Sequence, residues 1–156
     1  MRTLPVPQPM SVKQLMRKKC IAPKIFQRRS VWDKADKTPY IQSVNKGDAL
    51  STIVLANIAE CMEFCKGDYP QCYGRFKTLY DAGHRYIILD GQNRINCLES
   101  FYNNEYGIHG DFYDKDGLLH TLKNVTRLSE IKVKFPRLHD SFSDASVLVL
   151  ELTDRN

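Results

Sequence analysis

Apolar positions along the chain fall into runs whose period changes sharply at one place. Tyr86, Ile87, Ile88 and Leu89 form a short β-prone run, whereas Ile95, Leu98, Phe101 and Tyr102 recur at helical spacing. Asp90-Gly91-Gln92-Asn93-Arg94 lies between them, so the pattern predicts a strand, a tight turn and a helix that opens near Gln92. The same reading predicts Ser11 capping a short helix over Val12 to Lys19, with Val12, Leu15 and Met16 inward, and extended chain from Ile21 to Gln27. It places a helix over Lys37 to Lys46, burying Tyr40, Ile41 and Val44 and ending at Gly47, then a buried strand over Thr52 to Ile58. A helix around Tyr73 to Ala82, with Phe76, Leu79 and Tyr80 inward, ends at Gly83. Asp114-Lys115-Asp116-Gly117 predicts a hairpin turn, residues 128–142 fit neither period cleanly, and Ser146 to Leu152 reads as a last strand. Residues 1–10, with three prolines, form an extended arm ahead of one domain over 11–156, with no linker or internal repeat.

The junction carries the candidate chemistry. A helix starting near Gln92 turns its unpaired N–H groups and positive dipole end toward the turn, which suits a phosphate, and Gly91 lets a ligand approach the backbone. Asp90 then orients a metal ion or water, Arg94 pairs with phosphate oxygens, and Gln92 and Asn93 supply amides. The same string also serves as an ordinary capped turn, since Asp-Gly is a common turn dipeptide and Asp a favoured helix cap.

A second motif bears on that choice. Phe26-Gln27-Arg28-Arg29-Ser30-Val31-Trp32 joins consecutive arginines to an amide and the single tryptophan of the chain. Together with Tyr40 to Gly47, Ser51 to Ile58 and Ile88 to Arg94, the stretch from Ala22 to Lys34 resembles the N-terminal domain of the GmrSD-type restriction endonuclease family. That family is marked by P-x-[YF]-Q-R-x-x-x-W and D-G-Q-Q-R signatures. Pro23, Phe26, Gln27, Arg28 and Trp32 match the first, with one extra residue between proline and aromatic, and Asp90, Gly91, Gln92, Asn93 and Arg94 match the second. The resemblance is strongest from Ser11 to Tyr106 and looser beyond.

The resemblance implies a compact mixed α/β domain like those of ParB and sulfiredoxin, with a small mixed sheet and surrounding helices. It implies binding and hydrolysis of a nucleoside triphosphate with Mg²⁺, tied to cutting or nicking of DNA. Carried over residue by residue, Asp90, Gln92 and Arg94 are the catalytic candidates, with Asp90 also the metal ligand. Gln27, Arg28, Gly91 and Asn93 hold the nucleotide, and Trp32 packs the motif loop or stacks on a base. Asn93 stands where the family has a second glutamine; it keeps the amide but reaches about 1 Å less, which weakens catalysis more than binding. Family members continue past the final strand, so a chain ending at Asn156 is expected to be truncated or a minimal form whose nuclease domain or subunit is elsewhere.

Composition narrows the partners. At 156 residues, 42% apolar and 26% charged, the chain is sized for one soluble domain with a real core. It shows no spanning apolar segment and no signal-peptide core, and its five cysteines form no disulfide framework, so a cytoplasmic setting is expected. The net charge of +5 is unevenly placed: residues 1–46 carry eleven Lys or Arg against two acids, and residues 47–156 carry twelve against sixteen. Arg17, Lys18, Lys19 and Arg29 in the basic third are candidates for the DNA backbone, with a merely solvated basic face as the other reading.

Other chemistries find weaker support. Cys61, Cys65 and Cys72 with His84 offer zinc-ligand types at irregular spacing, and Cys61 and Cys65 equally suit one apolar helix face. Asp111, Asp114 and Asp116 miss the calcium-loop register, which places Phe112 and Lys123 at carboxylate positions. Glu130-Ile131-Lys132 is too short a nuclease signature to count, His109, His120 and His139 form no ligand spacing, and there is no Walker loop. The expected function is thus a nucleoside triphosphatase module of a DNA-processing protein; the alternative is a non-catalytic module that docks DNA or protein on its basic face.

Overall fold

The computed structural model describes residues 6–21, 34–48 and 52–152. It is a mixed α/β fold in which β1 (Gln8–Ser11), β7 (Ser146–Leu152), β3 (Thr52–Asn57), β4 (Tyr86–Asp90) and β2 (Cys20–Ile21) form one sheet in that order. β1 lies antiparallel to β7, β7 parallel to β3, β3 antiparallel to β4 and β4 parallel to β2. The alternation brings the ends of β2 and β4 and the starts of β3 and β7 to the same edge of the sheet. A second sheet is the hairpin of β5 (Ile108–Tyr113) and β6 (Leu119–Thr126).

Helices α1 (Val12–Met16), α2 (Lys34–Lys46), α5 (Gln92–Tyr102), α6 (Leu128–Lys134) and α7 (Pro136–Asp144) carry much of the packing, with α3 (Ile58–Cys65) and α4 (Pro70–Asp81) paired with each other. Ile53, Leu55, Ile88, Val147 and Val149 of the sheet join Ile95, Leu98 and Phe101 of α5 in the main core. Phe142 links Phe101 and Phe112 edge-on, at ring-centre distances of 5.3 and 5.5 Å, tying α5, α7 and the hairpin together. Ile87, next to Ile88, is also buried, because successive strand residues face opposite sides and this sheet is covered on both.

Several elements follow the sequence pattern closely. Ser11 accepts from the Gln14 N–H at 3.1 Å while the Gln14 side chain accepts from the Ser11 N–H at 3.3 Å, a full capping box. Helix α1 nevertheless stops at Met16, short of Lys19, whose φ of 54° takes the chain out of the helix. Ile41 and Val44 are buried as expected and Tyr40 half-buried. Ile58 opens α3 rather than ending β3, because Asn57 accepts from the Glu60 N–H at 3.2 Å. The Asn-x-x-Glu string before an apolar run was the local signal. Helix α4 begins at Pro70, and Phe76, Leu79 and Tyr80 are only half-buried, since α4 packs against α3 at the rim of the fold. The ambiguous stretch 128–142 is two helices, split where Pro136 restricts Phe135 and starts a new first turn.

The hairpin turn is held by Asp114, 9% exposed, whose Oδ1 accepts from the N–H groups of Asp116 and Leu118 at 2.8 and 2.9 Å and whose Oδ2 meets His120 Nε2 at 2.8 Å. The His120 hydrogen bond, aided by the two backbone N–H groups and opposed by desolvation, holds this carboxyl below its ordinary value of 3.8. A group depressed in the folded state adds stability above its unfolded pKa and loses it as pH falls through the folded one. Asp114→Asn is therefore expected to lower the melting temperature at pH 7, with the gap to the native chain closing as the pH falls below the ordinary carboxylate value of 3.8. A gap that persists unchanged in acid would refute the account.

Candidate functional site

At the sheet edge where β4 ends, the pairing of that strand is irregular. Val54 faces Asp90 but Leu55 faces Ile88, so Leu89 is an extra residue on β4. Such a bulge bends the strand and re-aims the residues beyond it. Leu89 is accordingly 42% exposed, and Asp90 is exposed beside it. Gly91 is the N-cap of α5 at φ 94°, ψ 21°. A β-carbon there would stand 3.1 Å from Ile53 Cγ1 and 3.3 Å from Ile53 Cα, so both the left-handed backbone and the close approach to β3 require glycine. The Gly91 carbonyl then accepts the first helical bond, from the Ile95 N–H at 3.0 Å.

Asp90 does not cap this helix. Its Oδ1 accepts from the adjacent Gly91 N–H at 2.9 Å, and α5 carries no side-chain cap. Among the described residues, the mouth therefore presents a first helical turn whose N–H groups have no side-chain acceptor, at the positive end of the dipole. Arg94 donates from its guanidinium to the Thr52 carbonyl at 3.2 Å, tethering the turn to the start of β3. Burial pushes the Tyr40 phenol up to about 12, against the pull of nearby Arg94. Gln92, Asn93 and Arg94 are half-buried, and the Asn93 Oδ1 is buried without a hydrogen-bond partner among the described residues.

The remaining expected site residues divide. Gln27, Arg28, Arg29 and Trp32 lie outside the described residues. They follow β2 in sequence, and β2 ends at the same sheet edge as Asp90, with Ile21 in register with Ile87. Lys18 is paired with Glu151 and lies 4.4 Å from the centre of the Tyr86 ring. Arg17 and Lys19 are exposed on either side of it.

Of the hollows lined by described residues, two bear on the candidate chemistry. One, of about 460 Å³, is apolar and lined by Ala56, Cys61, Phe64, Cys65, Cys72 and Phe76. Burial pushes the Cys61 and Cys65 thiols up. No group of three or more His, Cys, Asp or Glu comes together as a metal cradle among the described residues. The other hollow, of about 390 Å³, is polar and lies between α2 and α5, lined by Lys37, Asn93, Asn96, Glu99, Ser100 and Asn103. Burial pushes the Glu99 carboxyl up, with Glu105 adding to the shift. Only Asn93 of these was a candidate from sequence.

No helix among the described residues is long and apolar enough to cross a membrane. No curated protein and no solved structure matches the chain. The model of the GmrSD restriction endonuclease N-terminal domain matches residues 12–150, a span that holds the bulged strand, the Gly91 turn and the whole of α5. Most of the chain is thus accounted for by one family model: the chain belongs to the GmrSD restriction endonuclease N-terminal domain family.

Proposed function

We propose that this restriction-endonuclease-associated module binds a nucleoside triphosphate with Mg²⁺ at the Asp90 to Arg94 mouth and hydrolyses it, in service of DNA cutting by a nuclease domain or subunit. The observation that carries the reading is the turn itself: Gly91 in the left-handed region delivers a helix start that has no side-chain cap among the described residues, beside an arginine. Backbone N–H groups of Gln92 and Asn93 receive phosphate oxygens, and Arg94, held by the Thr52 carbonyl, presents its charge to them. Asp90, exposed and turned toward Gly91, accepts a proton from the attacking water and is the residue that would hold the ion. A single carboxylate completed by phosphate oxygens and water is the donor set Mg²⁺ favours. The ion supplies neutralisation of phosphate charge. Gln27 and Arg28 belong to the same reading as amide and cationic contacts. Arg17, Lys18, Lys19 and Arg29 are the proposed contacts to the DNA backbone.

Phosphate release and binding with Mg²⁺ and each of the four ribonucleoside triphosphates, with and without DNA, test the reading on the native chain. Turnover is expected. Binding without turnover would leave the mouth as a nucleotide sensor, the outcome Asn93 in place of glutamine favours, and neither binding nor turnover from a folded chain would overturn the proposal.

A further inference from the structure

The polar hollow between α2 and α5 is unlike the mouth in charge. Asn93, Asn96, Ser100 and Asn103 recur at three- and four-residue spacing on one side of α5, while Ile95, Leu98 and Phe101 fill the core on the other. Two carboxylates, Glu99 and Glu105, enter the hollow against one lysine, Lys37, whose ammonium sits 5.0 Å from the centre of the Tyr106 ring. Such a lining repels phosphates and attracts groups that donate hydrogen bonds.

The Asn93 Oδ1 sharpens the distinction. It is a buried acceptor with no donor among the described residues, and leaving it so carries a desolvation cost. An ionised phosphate has no proton to give it, whereas a ribose hydroxyl or a base amino group does. Asn93 is also the residue that the turn and the hollow share. Ser100 stands seven positions further on, about 10 Å along the helix axis, the scale of a nucleoside.

We propose that the hollow along α5 is the nucleoside subsite: Glu99 accepts from the ribose hydroxyls, Asn96 and Ser100 contact the base, and Asn93 marks where sugar gives way to phosphate. This rests on the nucleotide reading of the mouth. A carboxylate that accepts from vicinal hydroxyls distinguishes ribose from deoxyribose, as it does in dinucleotide-binding folds. The site then selects ribonucleotides, and its base preference is set by the Asn96 and Ser100 side chains.

Affinity is measured for Mg²⁺ complexes of the four ribonucleoside triphosphates, their 2′-deoxy counterparts and inorganic tripolyphosphate, on the native chain and on Asn96→Ala, Ser100→Ala and Glu99→Gln. The native chain is expected to prefer ribonucleotides about tenfold, Glu99→Gln to lose that preference, and Asn96→Ala to weaken nucleotides about tenfold with tripolyphosphate unchanged. The three positions are half-buried on the helix surface, and unchanged melting temperatures serve as the folding control. Variants that keep native nucleotide affinity and native ribose preference overturn the subsite while the mouth reading stands. Variants that weaken tripolyphosphate equally also overturn it, by placing phosphate in the hollow. A native chain that binds neither nucleotide nor tripolyphosphate sinks both readings together.

Discussion

Asp90→Ala is expected to reduce phosphate release by about 100-fold or more, the scale set by loss of one positioned general base, while leaving the fold in place. The side chain is exposed and its hydrogen bond goes to its own neighbour, the Gly91 N–H. Its removal should therefore change stability by no more than about 0.5 kcal/mol, as for surface substitutions away from special features. Asp90→Asn separates charge from geometry, because the amide oxygen can still accept from the Gly91 N–H at the observed 2.9 Å. Both variants are expected to be equally inactive, with native melting temperatures. An Asp90→Asn chain that turns over at the native rate would show that the side chain shapes the turn and takes no proton or metal, and the catalytic assignment would be withdrawn.

The largest stability effect is expected from Gly91→Ala. A left-handed backbone costs a β-carbon about 1–2 kcal/mol, and pushing that carbon into filled space adds about 1–3 kcal/mol more. The obstacle is Ile53, at 3.1 Å through its Cγ1 and 3.3 Å through its Cα; the side-chain atom can yield, but the Cα belongs to the central strand β3. A loss of about 2–5 kcal/mol is expected, which in a domain of this size lowers the melting temperature by about 4–20 °C. The same change moves the helix start and the Arg94 bond to Thr52, so nucleotide affinity should fall with it. Thermal melting and nucleotide titration of the one variant test both, and a melting temperature within about 2 °C of native, less than the shift of a 1 kcal/mol loss, would contradict the packing account.

The mouth was legible in sequence because its parts are local. Hydrophobic period two gives way to period 3.6 at Asp90, and a strand ends and a helix starts there. Ser11 as a helix cap and the Asp114 to Gly117 turn act within a few residues in the same way. The residues of the hollow were not legible, for a related reason: Asn96, Glu99 and Ser100 look like the solvated face of an amphipathic helix until α2 is laid beside them. Lys18 is a second case: it is held by Glu151 of β7 and Tyr86 of β4, partners that no local pattern relates to it.

The amino-acid sequence by itself determined the mixed α/β class, the order and kind of most elements, the family and the position of its Asp90 to Arg94 turn. These depend on short-range periodicity, caps and turn chemistry, which act over one or two turns of chain. Tertiary structure alone decided the strand order β1-β7-β3-β4-β2, the bulge that re-aims Asp90, the seating of Gly91 on Ile53, and the polar hollow between α2 and α5. Each of these depends on which distant surfaces meet and in what register. A one-residue slip reverses every side chain of a strand without altering its pattern, so the choice lies in long-range packing.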